Sequence, residues 1–246
     1  MIKVTIWNEG RHDKTSAEVK ALYPEGMHNC IKDFLSEDEN LLVRTATLDG
    51  PDFLTDELLN DTDVLFWWGH IAHNEVPDEL AEKIRQRVMT ERMGFIPLHS
   101  AHKSKPFQLI VGTTGDLVWG DDQREIVWNM LPSHPIAQGV PAYFTFPKEE
   151  MYGEPFMIPQ PDELVFTSWF EDGHIFRSGL CYYRGLGKIF YFQPGHEGNP
   201  IFHDKTVQHI LRNAVYWAAP CDTLVPKPTC PREGSILEAI KAEENK

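Results

Sequence analysis

Over its first hundred residues the chain alternates short apolar runs with longer amphipathic stretches, an order that suits a parallel sheet covered by helices. Residues 2–7, 41–48, 64–68 and 95–98 read as strands. The run Val64-Leu65-Phe66-Trp67-Trp68 has no polar member, as a central strand buried on both faces requires. Between the strands, Pro24 suits a first helical turn, and Ile31, Phe34 and Leu35 keep helical spacing in a segment ending near Glu39. A short helix is expected at 55–60. The clearest helix is 77–93, with Leu80, Ile84 and Val88 along one side and Gly94 as its stop.

From Gly112 to Gly187 the pattern weakens into aromatic, Pro-rich and Gly-rich segments, read as β-hairpins and long loops over one edge of the sheet. Strands are expected at 164–169, 179–183 and 188–192. A helix follows at 204–218, capped by Asp204, with Val207, Ile210, Leu211, Ala214 and Trp217 inward. The expected fold is therefore α/β, a three-layer, doubly wound, mostly parallel sheet with β-hairpin insertions, in one domain over 1–219. Pro220, Pro226, Pro228 and Pro231 then make a stiff extended linker, 220–246 ending in a short charged helix near 235–244. Such a tail is expected to pack on a neighbouring subunit, giving a homo-oligomer.

Composition narrows the partners. In 246 residues, 41% hydrophobic with seven Trp and fourteen Phe, there is material for one sizeable core. A net charge of −14 offers no positive field to a phosphate backbone, which excludes nucleic acid as the expected partner. No apolar run approaches the roughly 18 residues of a membrane span. The first residues lack the basic region, apolar stretch and small-residue cleavage site of a secretory leader, so a cytoplasmic protein without a membrane partner is expected. Cys30, Cys181, Cys221 and Cys230 form no C-x-x-C, and neither a thiol metal knuckle nor a disulfide framework is indicated.

Histidine is the informative residue. In a doubly wound sheet, ligands bind beyond the carboxyl ends of the strands. Glu9 and His12 follow the first strand, His70 and His73 the third, His99, Ser100 and His102 the fourth, and His196 and Glu197 the last; His28 opens the first helix on the same edge. Seven of the eleven histidines thus fall on one expected rim. Imidazole ligates borderline metals and titrates near neutral pH, so the rim suits a metal or acid–base centre. The alternative for each H-x-x-H pair is a polar loop residue bonded to backbone. The run from Leu98 to His102 has the shape of a nucleophile elbow, in which Ser100 is either a nucleophile with His196 as base or the cap of the next helix. Trp68 and Trp169 could stack on a sugar ring, and Glu150, Glu154, Glu171, Asp172 and Arg177 could bond its hydroxyls. No G-x-G-x-x-G, P-loop, H-E-x-x-H or G-x-S-x-G motif occurs, which removes support for nucleotide and zincin readings.

Five segments are more specific: Tyr23-Pro24-Glu25-Gly26-Met27-His28, Trp67-Trp68-Gly69-His70-Ile71-Ala72-His73, Leu98-His99-Ser100-Ala101-His102-Lys103-Ser104, Glu150-Met151-Tyr152-Gly153-Glu154 and Phe192-Gln193-Pro194-Gly195-His196-Glu197. In these the chain resembles the ThuA-like, trehalose utilisation family over residues 2–219. The resemblance implies a flavodoxin-like, class I glutamine-amidotransferase-like fold. That broader fold family carries a cysteine at the elbow, where this chain has His99 and Ser100, so glutaminase chemistry is not implied. What is implied is a role in di- or oligosaccharide catabolism, acting on oxidised (3-keto) glycosides such as a trehalose derivative by cleavage or isomerisation.

A divalent metal, zinc first with manganese or iron next, suits that substrate, with His28, His70, His102 and His196 as ligand candidates. Glu197 or His73 would be the base, with His99 and Ser100 as further catalytic candidates. Glu9, His12, Trp68, Glu154 and Trp169 are substrate candidates. The competing readings are a non-catalytic carbohydrate-binding or regulatory protein and a metal-free hydrolase using Ser100 and His196.

Overall fold

The structure is a computed structural model that describes residues 1–51, 53–221 and 236–245. Pro226, Pro228, Pro231, Cys230 and the expected helix start at 235 lie outside the described residues. In chain order the elements are β1 (Ile2–Asn8), α1 (His12–Thr15), α2 (Ala17–Leu22), α3 (Met27–Leu35), β2 (Leu41–Thr47), α4 (Asp56–Asn60), β3 (Val64–Trp68), α5 (Asp78–Glu91), β4 (Gly94–Leu98), α6 (Lys105–Val111), β5 (Val118–Asn129), β6 (Tyr143–Gly153), β7 (Glu163–Phe170), β8 (Ile175–Arg184), β9 (Gly187–Phe192), α7 (Lys205–Ala218) and α8 (Ile236–Glu244).

The strands form one nine-stranded sheet in the order β2-β1-β3-β4-β9-β8-β7-β5-β6. Pairing is parallel from β2 to β9 and antiparallel from β9 to β6. The α/β fold read from sequence holds, and the expected hairpins turn out to continue the sheet itself rather than lie over its edge. Alternation along the strands explains the layers. Val4, Ile6, Phe66, Ile96 and Phe190 face α3 and α7, whereas Trp7, Leu65, Trp67, Phe95 and Ile189 face α5 and α6.

Helix ends follow local chemistry. Asp204 caps α7 by accepting from Thr206 N at 2.8 Å and Val207 N at 3.1 Å, as its sequence position implied. The first long helix starts later than Pro24 suggested, because Tyr23-Pro24-Glu25-Gly26 forms a turn whose Gly26 has φ +86°, a conformation that favours glycine. Two short helices, α1 and α2, precede it and carry His12 and Asp13 beside the sheet. Helix α5 stops at Arg92 in the left-handed region rather than at Gly94. Gly94 opens β4 instead, where α7 closes on it: a Cβ there would sit 2.6 Å from the carbonyl oxygen of Ala218. Gly94→Ala is expected to lower unfolding stability by about 1–3 kcal/mol through overpacking. Urea denaturation checks this, and an unchanged midpoint would refute it.

Candidate active site

Register aligns Asn8, Trp68, Leu98 and Phe192 in one row across β1, β3, β4 and β9. The residues that follow this row make the rim. Two buried glutamates shape it. Glu9, with no exposed surface, accepts from His70 N at 2.8 Å, Ile71 N at 3.0 Å and Ala72 N at 2.9 Å, and so holds the turn after β3. Glu149 on β6 accepts from Gly195 N and His196 N, each at 2.9 Å, and holds the turn after β9. Burial, with the neighbouring carboxyl of Glu125, pushes Glu149 well above the usual carboxylate range. Glu125 itself is pushed up to about 8 by burial.

Those turns bring His12, His70 and Glu197 together, with ligand atoms all within 4.8 Å of one another. His70 Nδ1 is 2.9 Å from one Glu197 oxygen and His12 Nδ1 is 3.4 Å from the other. The His12 Nδ1 atom is buried and makes no hydrogen bond. Burial opposes charge on both members of the His70–Glu197 pair. Their mutual hydrogen bond and attraction win, raising His70 above its ordinary value and holding Glu197 at about 2. The rings of His99 and His196 close the group, 5.7 and 5.9 Å from that of His70.

His99 follows β4 with φ +50° and is fully buried. Its Nδ1 lies 3.0 Å from the Gln193 carbonyl and its Nε2 2.9 Å from Glu150, so both nitrogens face oxygen partners. Burial would raise Glu150, but the contact with His99 holds it at about 2. Ser100 pairs with the Tyr152 hydroxyl at 2.9 Å. Among the described residues no hydrogen bond joins Ser100 to His196. The helix after this turn is capped by Ser104, which accepts from Phe107 N at 3.4 Å, so Ser100 is not its cap either.

Beside the trio a cleft of about 190 Å³ is lined by His70, His73, Ser100, His102, Lys103, Leu117, Trp119, Glu150 and Tyr152. Burial lowers His73 to about 4 and His102 to about 3, so both rings are neutral at physiological pH. The His73 Nε2 atom has no hydrogen-bond partner. His102 donates from Nδ1 to the Gly115 carbonyl at 2.6 Å, which fixes its tautomer and leaves Nε2 the lone pair.

Several sequence expectations move. The ligand set His28, His70, His102 and His196 is not what converges; His12 and Glu197 join His70 instead. His28 stands against Asn8 at 3.1 Å, with Asp13 behind at 3.9 Å. His196 accepts from Gly198 N at Nδ1, at 3.3 Å, so the neutral ring keeps its proton on Nε2 and lacks a lone pair there for a metal. Glu9 has both oxygens on backbone and is a support rather than a substrate contact. Glu154 is spent on Arg177, 2.7 Å to Nε and 2.9 Å to Nη2. Trp68 is 2% exposed and donates to the Gly195 carbonyl at 2.9 Å. Trp169 lies on β7, opposite Ile126 and Ile175, outside the cleft lining. Glu149, Tyr152 and Trp119 were not singled out as site residues by sequence, although Tyr152 sits inside one of the specific motifs.

A second trio, His134, Glu163 and Cys181, also falls within ligand spacing. There His134 Nδ1 accepts from Ile136 N at 3.2 Å, which obliges the neutral ring to keep its proton on the Nε2 facing Glu163. That trio is a capped turn, not a second centre.

A family model described as trehalose utilisation, ThuA, matches residues 3–218. The chain belongs to the ThuA family. Among curated proteins none matches. Solved structures similar in fold include a ThuA-like protein from Parabacteroides merdae, 16% identical with a TM-score of 0.67 over 92% of this chain and 93% of that one. A protein described as cytoplasmic from Salmonella typhimurium LT2 is 12% identical, TM-score 0.60, covering 89% of this chain and all of that one. A glutamine amidotransferase from Thermotoga maritima is 13% identical, TM-score 0.53, covering 88% and 97%. In this ThuA-family chain, no helix among the described residues is long and apolar enough to cross a membrane.

The neutral histidines make stability pH dependent. His73 and His102 titrate below their ordinary 6.5 in the folded chain, so between about pH 6 and 4 the unfolded chain binds more protons and stability falls with acid. Asn at position 102 can keep a donor to the Gly115 carbonyl without titrating. His102→Asn is expected to flatten the acid limb of unfolding free energy by one proton, about 1.4 kcal/mol per pH unit. Denaturation between pH 4 and 7 (about the span of that limb) measures the slope, and an unaltered slope would count against the assignment.

Proposed function

We propose that the protein is a metal-dependent enzyme of saccharide catabolism that cleaves or isomerises an oxidised (3-keto) di- or oligosaccharide such as a trehalose derivative. The observation that carries this reading is the convergence of His12, His70 and Glu197 beside an acid–base cleft, in a chain of the trehalose utilisation family. Two imidazoles and one carboxylate form a donor set suited to zinc, manganese or iron, and the unbonded, buried His12 Nδ1 is the atom such an ion would satisfy. Bound there, the ion would act as a Lewis acid towards the sugar ketone.

The remaining work belongs to the chain. A keto-glycoside loses the proton on the carbon next to its ketone, the electron pair forms a carbon–carbon double bond, and the glycosidic oxygen departs with the bonding pair. Water addition then completes a net hydrolysis. His73 is neutral and lines the cleft, and its buried, unpartnered Nε2 is the candidate acceptor for that proton. Glu197, as a ligand, is displaced from the role of base. His196, with its proton on Nε2, offers a donor to a sugar oxygen. His99 ties Glu150 to β9 and keeps the cleft wall in place.

Elemental analysis of untagged protein is the test. About one transition metal per chain is expected, lost in a His70→Ala, Glu197→Gln double variant. His73→Gln should retain the metal and lower kcat on a 3-keto disaccharide by about 10²–10⁴-fold. Protein that binds no zinc, manganese or iron after incubation with each, or that turns over metal-free, would overturn the reading.

A further inference from the structure

The cleft beside the metal trio is small for the substrate proposed. At about 190 Å³ it falls short of the roughly 300 Å³ at which pockets begin to enclose a drug-sized molecule, so one sugar ring fits and a second must lie outside. At its mouth stands Trp119, 68% exposed, although indole is among the side chains that gain most from burial. Trp119 lies directly opposite Tyr152 in the β5–β6 ladder, and residues so paired project from the same face of the sheet. Tyr152 is buried against Ser100 and His99, whereas Trp119 extends the same wall into solvent. No aromatic partner covers Trp119 among the described residues.

We propose that Trp119 is the platform of an outer saccharide subsite: the cleft encloses the reacting ring, and the next ring of a di- or oligosaccharide stacks its C–H face on the indole. The inference rests on the saccharide reading above and specifies it. The chain selects glycosides with a second sugar over single sugars, and it does so through a residue that belongs neither to the metal trio nor to the proton-accepting group. Indole supplies flat apolar area without a hydrogen-bond register, so the subsite tolerates different linkages.

Equilibrium binding of trehalose and of methyl α-glucoside, neither of which carries the ketone, separates the possibilities. Wild type is expected to bind the disaccharide more tightly. Trp119→Ala should weaken disaccharide binding about tenfold, with the monosaccharide unchanged, and Trp119→Phe should recover most of the loss. Equal weakening of both sugars, or of neither, overturns the outer subsite and leaves the saccharide reading standing. Wild-type protein that binds neither sugar, or binds both equally, also overturns the outer subsite, while the keto-saccharide reading stands or falls on the metal and turnover tests above. Because Trp119 is exposed, the variants are expected to unfold at the wild-type urea midpoint, which excludes a folding defect as the cause.

Discussion

Two glutamates buried beneath the rim set the turns that carry His70, His196 and Glu197. Glu9 gathers three consecutive backbone N–H groups after β3, and Glu149 gathers two after β9. Burying such a group is costly unless its oxygens are bonded: Glu9 has both oxygens bonded, whereas Glu149 has one oxygen without a partner and is driven by burial towards its protonated form. The bonds also cap turns whose donors would otherwise have no partner so close to the sheet. Trp68 adds the cross-tie, from its indole nitrogen to the Gly195 carbonyl. The positions of His70, His196 and Glu197 are therefore set by hydrogen bonds made underneath them.

Which histidine does what is decided by its second nitrogen. His102 donates to a carbonyl, His196 accepts from an amide, and His99 faces oxygens on both sides. His12 and His70 turn a ring nitrogen to within 3.4 Å of the Glu197 carboxylate, while His196 Nε2 stands further off at 3.8 Å. A cluster that looks uniform in sequence is thus divided into holders, donors and ligand candidates by neighbours one or two residues away. Acid–base character follows the same division: His70 is drawn towards charge by Glu197, while burial keeps His73 and His102 neutral.

The parallel half of the sheet and the rim itself were legible because strands announce themselves by apolar runs and because the ends of such strands converge. Residues 64–68 and 95–98 mark their own ends, and the histidines just after them had nowhere else to go. The ligand set was not legible. His28 follows a turn made possible by Gly26, and His12 rides on a short helix whose few residues leave little periodic signal. The far half of the site comes from β5 and β6, long antiparallel strands with bulges between Gly120 and Asp122 and between Gln123 and Glu125. Bulges break the period of two, so Glu149, Glu150 and Tyr152 cannot be assigned to a face by counting. Glu150 was legible only as a possible partner for sugar hydroxyls, and Tyr152 only as part of a family motif.

The turn after β4 is the strained point of the site. A non-glycine residue at φ +50° carries strain of order 1–2 kcal/mol, and His99 bears it while wholly buried. A nucleophile held on such an elbow must reach the substrate, whereas this ring is held back by Gln193 and Glu150, and its own carbonyl accepts from the Tyr191 hydroxyl at 3.0 Å. The following hydroxyl, on Ser100, turns to Tyr152. In this chain the elbow therefore works as an anchor: it fastens the antiparallel hairpin to the carboxyl ends of the parallel strands. The groups that the proposed reading uses stand on the turns to either side, where His70 and His73 follow β3 and Glu197 follows β9. The strain is tolerated because two hydrogen bonds, with Gln193 and Tyr191, and the close contact with Glu150 over-determine the position.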